Sequence, residues 1–197
     1  MSDDVKRFDR WSKSYEACWG QRFFDGAHAL MLNLVTSAAP DLNPSAVLDV
    51  GCGTGRLLRK AAARWPAARI VGVDPAPGMV EVAKSLAPSG EFHQGFAESL
   101  PLPDASVDVA FSSISMHHWR DAPSGVRELA RVLRPGGWFC LADISVPAWL
   151  AKLVRTKAKS RSALRQLLID AGFEIQRHQT VFSRFVSVFL AAKRLPQ

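Results

Sequence analysis

The stretch Leu48-Asp49-Val50-Gly51-Cys52-Gly53-Thr54-Gly55-Arg56 (LDVGCGTGR) sets three glycines on alternate positions directly after an apolar run. The run, from Ala46, reads as a buried strand, and glycines so spaced let the next turn bring its backbone close to a ligand. Spacing excludes two loops. A dinucleotide fingerprint needs its third glycine three positions after the second, and Arg56 stands there. A phosphate loop needs Lys-Ser or Lys-Thr after its glycines, and neither follows. Asp49 is a third objection: a carboxylate there repels a pyrophosphate and suits a ligand carrying a positive amine.

Outward from this loop the pattern alternates. Leu57, Leu58, Ala61, Ala62 and Trp65 make a helical face, Arg69–Asp74 a strand and Gly78–Ala87 a helix. Glu91–Ala97 and Val107–Ile114 are strands, Val126, Leu129, Ala130 and Leu133 line a helix stopped at Arg134-Pro135-Gly136-Gly137, and Trp138–Ile144 is a strand. The rhythm predicts a doubly wound α/β fold with a mostly parallel sheet. A helix marked by Leu164, Leu167, Leu168 and Ala171 ends at Gly172. Phe173–Val181 and Phe185–Lys193 then lie too close for a helical crossover, so they form an antiparallel hairpin. Upstream, residues 4–37 read as helical, with Phe8, Trp11, Tyr15 and Trp19 as one aromatic stripe.

Composition sets bounds. A chain of 197 residues, 48% hydrophobic and 22% charged, is expected to be one domain. Its expected parts are a helical cap over 1–44, a ligand-binding core over 45–145, and a substrate-side segment with the hairpin over 146–197. No apolar run reaches membrane-spanning length and the first residues, MSDDVKRFDR, have no signal-peptide core, so a cytoplasmic location is expected. Cys18, Cys52 and Cys140 form no C-x-x-C pair, which argues against a disulfide framework or a metal site. Lys152, Arg155, Lys157, Lys159, Arg161 and Arg165 supply most of the formal charge of +7. They read either as a solvated face or as a contact for an anionic partner.

Asp74 ends the second strand ~20 residues past the loop, where an acid accepts from ribose hydroxyls. Loop and acid together place a nucleoside across the carboxyl edge of the sheet. With VGVDPAPGMV, GFAESLPLPDASVDVAFSSISMHHW and RELARVLRPGGWFCLADI following in order, the chain resembles the class I S-adenosylmethionine-dependent methyltransferases, in particular the group of the ubiquinone and menaquinone C-methyltransferases. The resemblance covers about residues 5–195 and implies a Rossmann-like seven-stranded sheet. It also implies that S-adenosylmethionine is the cofactor and S-adenosylhomocysteine the product. Asp49, Gly51 and Gly53 would face the methionine part, with Cys52 beside them. Asp74 would hold the ribose, Pro75 and Met79 flank it and the adenine, and Ala97 and Glu98 belong to the loop at the adenine edge. Ser112 lies where backbone receives the ammonium, and Tyr15 matches an aromatic that closes over the cofactor. Phe96 departs from the pattern, since many relatives carry an acid there that accepts from the adenine amine. It either stacks on the ring or is core.

Methyl transfer from a sulfonium is a direct displacement that needs a base only if the acceptor must lose a proton. His117 or His118, after the fourth strand, is the first candidate base, and Asp143, at the end of the fifth, the second. His28, His93 and His178 receive no functional reading, and Cys140 reads as core. The Asp/Asn-Pro-Pro-Tyr motif of amino-methylating enzymes is missing, as is the cysteine nucleophile of RNA cytosine-5 enzymes. A small-molecule acceptor, methylated at carbon, oxygen or nitrogen, is therefore expected. The alternatives are an RNA or protein acceptor reached through the basic run, with nucleic acid not favoured, and an inactive cofactor-binding partner protein. The oligomeric state is not legible.

Overall fold

The computed structural model describes residues 3–17, 21–147, 158–182 and 185–195. The chain runs α1 (Asp3–Tyr15), α2 (Gln21–Ala38), β1 (Ala46–Val50), α3 (Arg56–Arg64), β2 (Arg69–Asp74), α4 (Pro77–Leu86), β3 (Glu91–Gln94) and β4 (Val107–Ser113). A single 3-10 turn (Met116–His118) leads to α5 (Ala122–Val132), β5 (Leu133–Ile144), α6 (Arg161–Asp170), β6 (Phe173–Val181) and β7 (Val186–Lys193). The strands form one seven-stranded sheet in the order β3-β2-β1-β4-β5-β7-β6. The first five pair in parallel, and β7 runs antiparallel to both β5 and β6. The expected α/β fold and its terminal hairpin are both present.

The alternation of side chains along each strand divides the core in two. Leu48, Val50, Val71, Val73, Phe139 and Leu141 pack with α5 and α6 on one face. Val47, Ile70, Val109, Phe111, Cys140 and Ala142 pack with α2, α3 and α4 on the other. Cys140 is thus a core residue, fully buried. By the same parity Asp49, two residues after Val47, and Ser113, two after Phe111, belong to the α2 and α3 side, which decides what they meet.

The sheet reverses its winding between β1 and β4, and the carboxyl ends of these strands therefore open a crevice. Three backbone features shape it. Gly51 has φ +76°, and a Cβ there would lie 2.0 Å from Ser115 Oγ, so only glycine fits. Gly53 has φ +53°, and a Cβ there would meet nothing nearer than Tyr15, at 3.9 Å. The loop is held to the next strand by Gly51 N and Cys52 N, which donate to Val73 O at 2.8 and 3.2 Å.

The amino-terminal region differs from the single helix expected over 4–37. It is two helices with a turn after Tyr15, where Ala17 N donates to Ser14 O at 3.2 Å. One straight helix cannot lie along α4, as α1 does, and also cover the sheet, as α2 does. The aromatic stripe splits accordingly. Phe8 and Tyr15 turn inward, Trp11 is 52% exposed, and Trp19 lies outside the described residues. The third strand is shorter than expected, ending at Gln94, because Phe96 and Ser99 pair in a local bridge instead. The Arg134–Gly137 turn is absorbed as an irregularity at the start of β5. Of the basic run, Lys152, Arg155 and Lys157 lie outside the described residues. Lys159 pairs its backbone with Ser145, and Arg161 and Arg165 stand on α6. Among the described residues no helix is long and apolar enough to cross a membrane.

Candidate active site

A cleft enclosing about 850 Å³ of space, open mouth included, runs along the carboxyl edge of β1, β2 and β4. Gly51 and Gly53 form its floor, with Asp74, Pro75, Ala76 and Met79 on one side and Phe96, Ala97 and Glu98 at the far end. The roof is α1, which contributes Asp4, Val5, Phe8 and Tyr15. A smaller cavity continues under α2. It shares Tyr15, Gly51, Gly53, Ser113 and Ile114 with the first and adds Phe24, His28, Asp49, Cys52, Thr54 and Arg56.

The acids on the floor are shaped by burial. Asp74 accepts from Gly53 N and Ala76 N, each at 2.9 Å, so it fastens the glycine loop to the end of β2. Burial nevertheless pushes its carboxyl up to about 6, against those two donors. Asp49 is 2% exposed, and its Oδ1 has no hydrogen-bond partner among the described residues. Burial first, and then the charge of Asp74, raises its carboxyl to about 8. An acid in this state is poised for a cation, the one group that would reverse both effects. Burial, with the same two acids, also lifts the Cys52 thiol well above its usual range, so it is no nucleophile at neutral pH.

The roof is pinned at several points. Gly78 N donates to Asp9 Oδ1 at 2.7 Å, and a Cβ on Gly78 would lie 2.6 Å from Ser12 Oγ, so α1 sits directly against the start of α4. Asp4 Oδ2 accepts from His118 Nδ1 at 3.2 Å. Beyond α1, Glu16 bonds Thr54, Arg56 and Arg59, while Asp25 takes Arg56 at 2.8 Å and Lys60 at 2.5 Å. Burial raises Glu16, but Thr54 and the two arginines outweigh it and hold the carboxyl below its usual range.

Relatives agree with this architecture. Residues 48–141 match a family model described as a methyltransferase domain. The chain is 37% identical over 101 residues to the demethylmenaquinone methyltransferase of Chlorobaculum parvum, covering 51% of this chain and 42% of that protein. It is 42% identical over 91 residues to the malonyl-[acyl-carrier protein] O-methyltransferase of Serratia marcescens, covering 46% and 35%. The core of this chain, residues 48–141, is a methyltransferase domain. These matches span half or less of the relatives' own length. The methyltransferase solved in complex with the Haloferax volcanii activator Trm112 superposes with TM-score 0.77 at 19% identity, covering 95% of this chain and 97% of that one, a likeness of fold.

Of the residues singled out in the methyltransferase sequence, Tyr15, Gly51, Gly53, Asp74, Pro75, Met79, Phe96, Ala97 and Glu98 line the main cleft, and Asp49 and Cys52 the smaller cavity. Ser112 does not line either one. It is fully buried on the α5 side of β4, with Oγ 3.3 Å from Ser115 Oγ, and Ser113 and Ile114 border the cleft in its place. Phe96 is half-buried in the cleft wall, packed against the small apolar cluster of Val5, Ala76 and Met79, with the Arg120 guanidinium 3.9 Å from its ring centre. Glu98 is engaged, accepting from Arg120 N and Asp121 N at 2.8 and 2.9 Å at the start of α5.

The three candidate catalytic residues stand together. His117 Nδ1 lies 2.6 Å from Asp143 Oδ1, and His117 N donates to Asp143 Oδ2 at 2.9 Å. Asp143 is 1% exposed and also accepts from Ile144 N at 2.7 Å, so it faces the histidine and not the cleft. The His118 ring is 4.0 Å from that of His117 and borders the cleft; burial, then the neighbouring His117, hold it below its usual range despite Asp4. Sequence reasoning missed His28, Asp4 and Ser115. A histidine on the buried face of α2 carries no local signal. Only the sheet parity that puts Ser113 beneath it gives it a partner, with His28 Nε2 3.1 Å from Ser113 Oγ.

Proposed function

We propose that this chain is an S-adenosylmethionine-dependent methyltransferase acting on a small-molecule acceptor. The observation that carries the reading is the unpartnered, buried Asp49 carboxylate beside a glycine floor that leaves open space above Gly53. An ammonium satisfies that oxygen, and a linear chain fits over a residue without a side chain. Asp74 and the walls formed by Met79, Phe96 and Ala97 suit a ribose and a flat base. The cofactor, when bound, supplies an electrophilic methyl group on a sulfonium.

The chain's own contribution is alignment, water exclusion and, for acceptors that lose a proton, a base. Roofing by Val5, Phe8 and Tyr15 excludes water. His117 is the base in this reading because it is the histidine paired with Asp143, while His118, whose ring lies 4.0 Å away, is the one of the two that lines the cleft. Asp143 is a positioning residue that keeps the proton on Nδ1, leaves the lone pair on Nε2, and stabilises the imidazolium once a proton arrives. His118 is less suited, since burial and His117 both disfavour its charged form. The test is a labelled-methyl assay over pooled metabolites, RNA and protein. Transfer into a small molecule is expected, and transfer into RNA or protein alone would overturn the acceptor class.

A further inference from the structure

Two buried side-chain atoms among the described residues have no hydrogen-bond partner, Asp49 Oδ1 and His28 Nδ1. They come from different elements, β1 and α2, and both residues line the same small cavity. Buried polar groups are ordinarily paired, so two orphans in one cavity point to a ligand that answers both. The cavity is also polarised. At one end Asp49 feels the negative charge of Asp74. At the other, positive charge from Lys60 and Arg56 reaches His28, opposed by Asp25, while burial keeps its imidazole neutral. Such a field matches a zwitterion laid with its ammonium toward Asp49 and its carboxylate toward His28.

The tautomer follows from Ser113. A neutral imidazole has one donor and one acceptor nitrogen. If the Ser113 hydroxyl donates to Nε2, 3.1 Å away, the proton resides on Nδ1, the atom without a partner. That arrangement turns an N–H toward the cavity and needs no charge on the ring.

We infer that His28 Nδ1–H holds the α-carboxylate of the cofactor's amino-acid end while Asp49 takes its ammonium, so that this cavity selects S-adenosylmethionine against its decarboxylated form. The inference rests on the cofactor reading above and adds a residue from α2 to it. It also makes seating of α2 part of ligand recognition. Asp25, three residues before His28 on that helix, anchors it to Arg56 and Lys60 of α3.

Calorimetric titration of the purified chain with S-adenosylhomocysteine, its decarboxylated analogue and 5′-methylthioadenosine tests this. Wild type is expected to prefer S-adenosylhomocysteine to the decarboxylated analogue by about tenfold or more, the scale of a hydrogen bond to a charged group. His28→Gln keeps an amide near Ser113 but nothing at Nδ1, and should erase that preference. His28→Asn keeps a donor near Nδ1 and should retain most of it. Neither variant should alter binding of 5′-methylthioadenosine, which lacks the amino-acid end, and thermal melts report that both are folded. A wild type without the preference, unchanged S-adenosylhomocysteine affinity in His28→Gln, or equal losses for all three ligands overturns the role of His28. Failure of the wild type to bind any of the three overturns the cofactor reading itself.

Discussion

Ligand binding should expel a proton from Asp49. With its carboxyl raised to about 8 by burial and Asp74, the free protein at pH 7 holds this residue about nine-tenths protonated. An ammonium seated against Oδ1 reverses the balance, since an opposite charge within hydrogen-bonding range lowers a carboxyl by about 1–3 units. At the upper end of that range the bound residue is almost wholly ionised at pH 7, and close to one proton leaves per ligand. Titrating S-adenosylhomocysteine at pH 7 in buffers of different ionisation enthalpy reads this as the slope of observed heat against buffer heat. Affinity should also climb by nearly tenfold per pH unit from about 6 to 7.5 and level off above 8. Asp49→Asn should remove the buffer dependence and most of the affinity together. Binding heats independent of buffer in the wild type, or an Asp49→Asn protein that binds as tightly as wild type, would refute the assignment of Asp49 as the ammonium site.

Three further predictions concern stability and turnover. Because the folded carboxyl of Asp49 lies far above its unfolded value, its contribution to stability is complete below about 4 and is lost as pH rises toward 8. The ligand-free Asp49→Asn protein should therefore melt several degrees above wild type at pH 8, with the gap closing toward pH 4; a gap that widens on acidification contradicts the burial argument. Gly51→Ala puts a Cβ onto Ser115 Oγ in a left-handed turn and disturbs that hydroxyl's bonds to Val50 O and Trp119, so a loss of about 3 kcal/mol is expected. Chemical denaturation would detect it, and a loss below about 1 kcal/mol would show that the turn yields easily. Asp143→Asn should cut kcat by about 10²–10⁴ on an acceptor that must lose a proton and leave an acceptor with no such proton unaffected. Equal losses on both would make the pair structural.

The sheet was legible because its information is local. Apolar runs such as Ala46–Val50 and Val107–Ser113 have strand length, and the few residues between Val181 and Val186 permit only a hairpin. The floor of the cleft was legible for the same reason, since Gly51 and Gly53 follow β1 directly and Asp49 and Asp74 stand at the carboxyl ends of β1 and β2. What escaped was set by tertiary packing. Near Glu16 the lone Gly20 is a weak sign of a helix break, and the place of the turn goes with tertiary contacts, since Glu16 is held by Thr54, Arg56 and Arg59 about 40 residues away. Ser112 and Ser113 look alike in sequence, and the pleat alone sends one toward Ser115 and the other toward His28. Asp143 is a strand-end acid in sequence, and only the 3-10 turn at His117 reveals that its carboxylate is already committed.

The cleft above the glycine floor is the proposed site of S-adenosylmethionine. Calorimetry with S-adenosylhomocysteine on wild type and Gly53→Val tests it most directly, because a valine there projects side-chain bulk into the space that Gly53 leaves open. Saturable one-to-one binding by the wild type, and none by a folded Gly53→Val protein, is the expected result. Unchanged affinity in the variant, or no binding by the wild type, would contradict it.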